Sequence, residues 1–496
     1  MKRTGWRARS AAIAAASLAA AAVCGPVAAA GAAPAPGPEI KMIAAQNNIT
    51  VARYGRQVYL DPGIWVASLG SAFQLDLQRP DYSTPMTVTQ VISLPGGGTQ
   101  QIRWPASVVG KVPGNLRDFV RMTVSNSAGK VVASSRMNFC PNTYDPERAS
   151  PSSPATSPYP QECVGDPFPK SLVWGIARGW AVDPAEQAFR PMRLALGRYT
   201  ATETIMPAYA RLLHVSAADA SASVKVKVVK ASSCCAEPAR AANRPQSQPL
   251  RSNPAAVPDL ASPPSSALPD LVPLPSWGIR VAHVRKTKTQ RASDQLNFGA
   301  TVWVGNAPLD VEGFRSHGSP IMKAYQYFWQ DGHIIGRLRA GTMGFDSEKG
   351  HNHWHFEQFA QYRLLNSHKS LAVRSHKVGF CIAPTDPVDL AEPTAVWQPS
   401  FLGFGGQCGS PTALWVQEMM PVGWGDTYFQ SVAGQSFTLN GLPNGTYYIE
   451  VIANPQRVLH ETDTSNDVSL RKVVLGGKTG HRTVRVPAYD GIDPEG

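Results

Sequence analysis

Three histidines alternate with other residues over a five-residue stretch: His351, His353 and His355. On a β-strand, residues i, i+2 and i+4 project from one face, with neighbouring Cα atoms roughly 6.5–7 Å apart. The three imidazoles would therefore point the same way and could converge on one metal ion, whereas a helix would scatter them. A single histidine is usually an ordinary core or surface residue, but strict alternation among β-forming residues predicts a metal site.

The histidines alone do not identify the metal. Three neutral imidazoles with an open position suit zinc in a hydrolase or copper in an oxidase. A zinc hydrolase would need a carboxylate base, and Glu357 lies two residues after His355.

The elements around this cluster are predicted to be β-strands. Residues 34–235 alternate apolar and polar side chains in short runs such as Phe73–Leu77 and Val120–Val124, separated by Gly, Pro and Asn. This region forms one or two β-rich domains, and the sequence does not decide between the two arrangements.

Residues 236–264 are dominated by Pro, Ala and Ser, a composition that predicts a semi-rigid linker. Residues 265–496 contain further short β-forming runs, including Phe298–Val304 and Thr446–Ile452. The predicted fold is therefore mainly β: a C-terminal β-sandwich catalytic domain with long loops, preceded by one or two β-rich N-terminal domains.

Residues 1–33 have the pattern of an export signal peptide. Four cations precede an Ala-rich apolar run, which ends in small residues suited to cleavage. No later stretch approaches the roughly 20 apolar residues that a membrane-spanning helix needs. We therefore expect a secreted protein with no membrane span.

Six cysteines follow the predicted signal peptide, and an even number in an exported chain predicts disulfides. Cys381 and Cys408 are expected to pair with each other because no other cysteine lies beyond residue 240. The remaining four allow three pairings. Cys140 with Cys163 is the natural expectation, but the adjacent Cys234 and Cys235 leave the pairing open.

The formal charge of the chain, +12, is concentrated outside the histidine region. Residues 34–276 carry 23 basic and 16 acidic residues, whereas residues 277–496 carry 20 and 19. No basic cluster is interleaved with aromatic residues, so nucleic-acid binding is not expected. An ordinary solvated surface would explain the N-terminal excess, and attraction to an anionic cell surface is the functional alternative.

Four blocks in the C-terminal region carry a family resemblance. The three histidines precede an acidic residue and a run that ends Tyr-x-Leu-Leu at Leu365, and His376–Cys381 and Gly425–Tyr428 follow in order. The fourth block is the tail, which consists of Gly445–Pro455 followed by 461–467. Together these blocks resemble the lysyl oxidases, over roughly residues 265–475.

The resemblance implies copper at His351, His353 and His355, and a lysyl tyrosylquinone cofactor made from Lys377 and Tyr428. Copper and oxygen would convert the tyrosine ring to a quinone, to which the neutral lysine amine adds. A desolvated site, or a cation such as copper or His376, would favour that neutral form. The ordinary alternatives are a surface lysine and a core tyrosine.

The implied reaction is the oxidative deamination of a primary amine, either a peptidyl lysine or a small amine, to an aldehyde. Oxygen is the second substrate, and hydrogen peroxide and ammonia are released. Animal relatives carry a histidine, a proposed base, where this chain has Gln361. Asp426 is the substitute that we expect, with Glu357 as a weaker candidate, and a strand-surface carboxylate is the ordinary alternative for both.

A second metal site is predicted from oxygen ligands, which calcium prefers. The resemblance adds the Asp270 side chain and the Leu271 carbonyl to a cluster of four residues, and a solvated acidic turn is the ordinary alternative. The four clustered residues are Glu461, Asp463, Asn466 and Asp467.

Two other functions compete with amine oxidation. A zinc-dependent hydrolase using Glu357 leaves the blocks around Lys377 and Tyr428 unexplained. A non-catalytic metal-binding module at the cell surface would keep the fold and the metal without turnover.

Overall fold

β-Strands make up nearly all the regular structure of the computed structural model. It describes residues 37–94, 96–109, 113–143, 145–185, 191–231, 257–286, 292–316, 318–347, 352–375, 377, 379–399, 408–432 and 434–495. The prediction of a mainly β fold is confirmed. The predicted signal peptide 1–33 and most of the predicted linker lie outside the described residues.

The described residues before 232 form fourteen strands and two short helices. The helices are α1 (Ala106–Val109) and α2 (Pro207–Leu212). The strands are β1 (Ile40–Ala44), β2 (Asn48–Tyr54), β3 (Gln57–Val58), β4 (Ile64–Ser68), β5 (Phe73–Gln78), β6 (Thr87–Ser93), β7 (Thr99–Arg103), β8 (Leu116–Asn126), β9 (Val131–Phe139), β10 (Glu147–Arg148), β11 (Ser171–Ile176), β12 (Trp180–Val182), β13 (Gly197–Ile205) and β14 (Ser221–Lys230).

These strands form three sheets. Two contain four strands, in the orders β1-β4-β12-β10 and β11-β5-β6-β7, and one contains six, in the order β3-β2-β14-β13-β8-β9. Alternation explains their burial, since Val224, Val226 and Val228 of β14 are buried while Lys225 and Lys227 are exposed. Cys140 and Cys163 form a disulfide, as expected, and Cys234 and Cys235 lie outside the described residues.

The strands after residue 256 follow a 3-10 helix at Ser265–Ala267. They are β15 (Asp270–Pro273), β16 (Trp277–Val284), β17 (Ser293–Gly305), β18 (Leu309–Phe314), β19 (Ile321–Gln330), β20 (His333–Asp346), β21 (His353–Phe356), β22 (Ala360–Leu365), β23 (Leu371–Arg374), β24 (Asp386–Pro387), β25 (Trp415–Met420), β26 (Trp424–Tyr428), β27 (Ser436–Thr438), β28 (Gly445–Ala453), β29 (Val468–Lys478) and β30 (His481–Arg485).

Three sheets also organise this region. Their paths are β15-β17-β26-β24, with β16 and β27 also paired to β17, then β21-β20-β19-β18-β25 and β23-β22-β28-β29-β30. Cys381 and Cys408 form the expected disulfide. No helix in the described part of the chain is long and apolar enough to cross a membrane.

The N-terminal region contacts the C-terminal region directly behind β26. The Thr301 hydroxyl donates to an Asp166 carboxyl oxygen at 2.6 Å and lies 2.8 Å from the Thr427 hydroxyl. The Gly165 amide donates to Asp386 at 2.6 Å. The described residues from 37 onward accordingly belong to one compact unit. The exact domain boundaries stay a prediction.

Two acids in this contact are fully buried. Burial raises the pKa of Asp166 to about 7, although hydrogen bonds from Thr301 and the Phe168 amide oppose the shift. Burial also raises the pKa of Asp386 to about 6. Since low polarity disfavours the carboxylate, the neutral acid is the form that this contact stabilises.

Asp166→Asn should therefore weaken the dependence of stability on pH. The folded protein keeps the Asp166 proton up to about pH 7, whereas an unfolded chain loses it near pH ~3.9. The stabilisation is complete below the unfolded value and is lost as the pH rises toward 7. Between pH 4.5 and 7.5 we expect the variant to lose about 2–4 kcal/mol less unfolding free energy than the wild type.

Denaturant unfolding across that pH range measures the difference, provided that unfolding is reversible. Asp331→Asn, at an exposed turn, is the matched control and should leave the wild-type slope unchanged. Equal slopes in wild type and Asp166→Asn would contradict the account of this contact.

Candidate active site

The histidine strand β21 lies between a neighbouring strand and two loop segments. On one side it pairs with β20, where His355 faces Gly344 and His353 faces Asp346. On the other side the Trp354 amide donates to the Cys408 carbonyl at 2.7 Å. The Phe356 and Phe380 backbones exchange hydrogen bonds of 2.8 and 3.0 Å. Both loop segments are thus fixed next to the histidines.

His353 and His355 point their ring nitrogens at the same place. Their Nε2 atoms are 2.9 Å apart, so both can reach one ion, because two metal–nitrogen bonds of about 2.0–2.1 Å span up to about 4 Å. An Asp346 oxygen lies 3.5 Å from Nδ1 of the buried His355, where it can orient the ring. These positions fit a shared imidazole site.

The third predicted ligand, His351, lies outside the described residues. Within the described ranges, no group of three or more His, Cys, Asp or Glu side chains is arranged to hold a metal. The described part of the predicted copper site is therefore a histidine pair.

Lys377 is buried, with 7% of its surface exposed. Its amide donates to the Ser375 hydroxyl at 3.1 Å, and that hydroxyl donates to the Gly434 carbonyl at 2.8 Å. Gly434 has a φ of +83°, and a Cβ there would lie 3.2 Å from both Cβ and Cδ of Lys377. A glycine at this position leaves room for the lysine chain.

Tyr428 ends β26 beside this lysine. The Lys377 ammonium nitrogen lies 4.5 Å from the centroid of the Tyr428 ring. The Tyr428 hydroxyl accepts from the Cys381 amide at 2.9 Å and donates to the Cys381 carbonyl at 3.3 Å. Phe380 packs edge-on against the ring, at 5.1 Å between centroids. The short segment from Lys377 to Cys381 thus contacts the tyrosine through several groups.

Asp426 is two residues before Tyr428 on the same strand, so the two side chains share a face. Its Oδ2 atom is buried and has no hydrogen-bond partner among the described residues. Burial raises the pKa of Asp426 well above its ordinary value, whereas the charge of Lys377 lowers it. Burial likewise raises the pKa of the Tyr428 hydroxyl, and Asp426 adds to that shift.

Glu418 is a further buried acid that the sequence interpretation missed. Its Oε2 atom accepts from the Ile382 amide at 3.0 Å, while no described residue hydrogen-bonds to Oε1. Burial raises its pKa well above the ordinary value. Residues 380–382 therefore bridge β21, through Phe356, to β25, through Glu418. The signal in the sequence is a charged residue inside Trp415–Met420, a strand in which four of the six residues are apolar.

Three further residues were considered in the sequence analysis: Glu357, Gln361 and His376. The Glu357 carboxylate accepts from the Thr342 hydroxyl at 2.7 Å. Gln361 lies on β22, opposite Ile452 of β28. His376, the proposed cationic neighbour of Lys377, lies outside the described residues.

Comparison with known proteins supports the resemblance. The lysyl oxidase family model matches residues 337–483, which include both described histidines, Lys377 and Tyr428. Over these residues the C-terminal region is similar to the lysyl oxidase family. Lysyl oxidase homolog 2 of Gallus gallus is 29% identical over 119 residues, 24% of this chain and 13% of that protein.

Two further relatives match a similar share of the chain. Lysyl oxidase homolog 4 of Bos taurus is 26% identical over 141 residues, and that of Homo sapiens is 28% identical over 133 residues. Each match covers 27% of this chain, and 17% and 16% of the respective relatives. The chain thus spans less than one fifth of the length of these lysyl oxidase homologues.

Four of the six residues of the predicted calcium cluster lie in the matched segment, and Asp270 and Leu271 lie before it. Glu461 accepts from the Leu271 amide at 3.3 Å and from the Asn454 side chain at 2.5 Å. The Asn466 amide donates to both Asp270 oxygens, at 3.1 and 3.2 Å. The Glu461 and Asp467 carboxyls are also neighbours. These contacts connect five of the six predicted ligand residues, all except Asp463.

Two buried oxygens in this cluster, Asn466 Oδ1 and Asp467 Oδ1, have no hydrogen-bond partner in the described part of the chain. Adjacent carboxyls and such oxygens suit a hard cation. Asp463 differs, because its exposed carboxylate accepts from the Ser465 amide at 2.8 Å and from the Ser465 hydroxyl at 2.7 Å.

Gly434→Ala should reduce formation of the predicted quinone, because the added methyl group presses on the Lys377 stem. We expect at least a several-fold lower yield of hydrazine-reactive carbonyl per chain after copper loading. Gly441→Ala is the matched control: Gly441 has a similar φ of +79° but nothing within 4 Å of the new Cβ. Equal yields from the two variants would show that the space beside Lys377 is unimportant.

Proposed function

We propose that the C-terminal region is a copper- and quinone-dependent amine oxidase acting on peptidyl lysine or small primary amines. The observation that carries this proposal is the position of the Lys377 nitrogen 4.5 Å from the Tyr428 ring centroid. A buried lysine against a tyrosine ring suits a covalent bond between them. The proposed overall reaction converts a primary amine, oxygen and water into an aldehyde, ammonia and hydrogen peroxide.

The residues of the chain divide this work. His353 and His355, together with His351, would hold copper. The Nε2 atoms of His353 and His355 are 2.9 Å apart, which suits one shared ion. Bound copper would supply the oxidising chemistry for the tyrosine ring, and a quinone made from Tyr428 and Lys377 would supply the carbonyl for the substrate amine. Phe380 and the Cys381 backbone orient the Tyr428 ring. Lys377, buried against the ring, would supply the amine that adds to it.

Asp426 is the proposed base that removes the α-proton of the bound substrate. It lies on the same strand face as Tyr428, and a carboxylate with a raised pKa is a better proton acceptor near neutral pH than an exposed one. Its buried Oδ2 has no hydrogen-bond partner within the described ranges, so this atom is suited to accept the proton.

Secretion of the enzyme is part of the proposal, since residues 1–33 have the pattern of an export signal and the described region contains two disulfides. The basic N-terminal region would hold the enzyme near an anionic cell surface.

Tyr428→Phe tests the proposed function. Copper-loaded wild type should release peroxide from a primary amine in step with aldehyde, and the variant should release none, because its ring lacks the oxygen that becomes a quinone carbonyl. Tyr448→Phe on β28 is the matched control and should keep wild-type turnover. A wild type that releases no peroxide with copper but catalyses hydrolysis with zinc would favour the hydrolase. A wild type that catalyses neither reaction would favour the non-catalytic module.

Asp426→Asn tests the proposed base. The variant keeps the shape of the side chain but cannot accept the proton, so kcat should fall by about 10²–10⁴-fold while the quinone still forms. The measurements are steady-state turnover and hydrazine labelling. Loss of both together would assign Asp426 to quinone formation instead, and unchanged turnover would remove it from the mechanism.

We also propose calcium at the cluster of Asp270, Leu271, Glu461, Asp463, Asn466 and Asp467. Calcium should raise the melting temperature of chelator-treated protein, with a stabilisation of about 2.7 kcal/mol at a hundredfold excess over Kd. Asp467→Ala should remove this response, whereas Asp331→Ala at an exposed turn should keep it. A wild type whose melting temperature ignores calcium would show that the cluster is only an acidic turn.

A further inference from the structure

The outward face of the six-stranded N-terminal sheet is strongly basic. Its inner face packs into the core through residues such as Val224 and Val226. On the outer face of β14, Lys225 and Lys227 are exposed and lie about 6.5–7 Å apart along the strand. Arg198 of β13 lies directly opposite Lys227, so three cations occupy one corner of the sheet.

Like charges directly opposite each other on paired strands destabilise a sheet. Among the described residues this sheet has three such pairs: Arg198 with Lys227, Arg121 with Arg136, and Lys230 with Arg53. Asp118 lies 3.4 Å from Arg136 and neutralises part of the second pair. Within the described chain, the three cations of the first corner form no ion pair. Their mutual repulsion would be relieved by a bound anion.

Hydroxyl groups fill the space between the two basic corners. Thr200 lies opposite Lys225, and Thr202 and Thr204 lie opposite Ser223 and Ser221. The described outward positions of β14 and β13 carry no carboxylate, and Asp118 of β8 lies at the second corner, against Arg136. Hydroxyls next to cations suit a ligand that offers both hydroxyl groups and negative charge.

The dimensions of the face require a chain rather than a single ion. Thr204 pairs with both Ser221 and Arg121, and Ser221 is six residues from Lys227 along β14. At about 3.3 Å per residue, the two basic corners are therefore separated by about 20 Å along the strands. A ligand that reaches both must be extended.

The same positions disfavour two other polyanionic partners. The described outward residues of β14, β13 and β8 include no aromatic side chain, on which the bases of a single-stranded nucleic acid would stack. Their only described apolar side chain is Val229 at the end of β14, which is too small to insert into a lipid bilayer. A polar, flexible polyanion fits this flat hydroxyl-lined face better than either.

We propose that this face binds a linear polyol phosphate, with phosphates at the two basic corners and polyol hydroxyls on the serine and threonine rows. The proposal is independent of amine oxidation, since it concerns a surface on the N-terminal sheets. Binding there would fix the enzyme on a phosphate-rich polymer.

The test measures binding of the full chain to poly(glycerol phosphate) across a salt series. The triple variant Arg198→Gln, Lys225→Gln and Lys227→Gln should bind at least about tenfold more weakly near 0.1 M salt, with a salt slope smaller by about 2–3. The control triple Lys369→Gln, Lys472→Gln and Lys478→Gln removes the same charge from exposed positions elsewhere, and should bind within about twofold of wild type.

Three outcomes would overturn the proposal. The two triple variants could weaken binding equally, which would indicate a diffuse charge effect. The wild type could bind vesicles containing anionic phospholipid but not the polymer, which would indicate a membrane surface. The wild type could also bind neither probe. Thermal unfolding of each variant checks that the fold is intact.

Discussion

Two backbone hydrogen bonds between Phe356 and Phe380 connect the histidine strand to the segment that carries Lys377. That segment then clamps the Tyr428 hydroxyl through the Cys381 backbone. Glu418 adds a contact at Ile382 from the opposite edge of the same five-stranded sheet. Because these links follow one another within a few residues, a shift at Phe380 would move every component of the site together. The Cys381–Cys408 disulfide limits such shifts.

Buried acids surround the tyrosine strand on both faces. Asp426 and Glu418 lie on the side of Tyr428, and Asp166 and Asp386 lie behind it. Burying a carboxyl costs folding free energy unless it is neutral or hydrogen-bonded, and all four have raised pKa values. Such groupings are typical of functional sites rather than of a core selected for stability. One of the four, Asp166, comes from the N-terminal region, which therefore helps to build the surroundings of the site.

The sequence was informative about those parts of the candidate site that lie in short, recognisable segments. Alternation at His353 and His355 specified a strand face, and ordered blocks pointed to Lys377 and Tyr428. The Cys381–Cys408 pairing followed from position alone. Glu418 and Asp166 could not be found in this way, since their roles depend on contacts between segments 36 and more than 130 residues apart. The β class was predictable from alternation, but the packing of the N-terminal sheets behind β26 depends on tertiary contacts.

The central claim is that Lys377 and Tyr428 become one covalent unit under the control of the histidine site. Proteolysis and mass spectrometry of copper-loaded protein test it most directly, with His353→Ala treated in the same way. We predict one peptide species joining the segments around Lys377 and Tyr428 in the wild type, and only separate peptides in the variant. Unmodified Lys377 and Tyr428 in a wild-type preparation that oxidises amines would contradict the account.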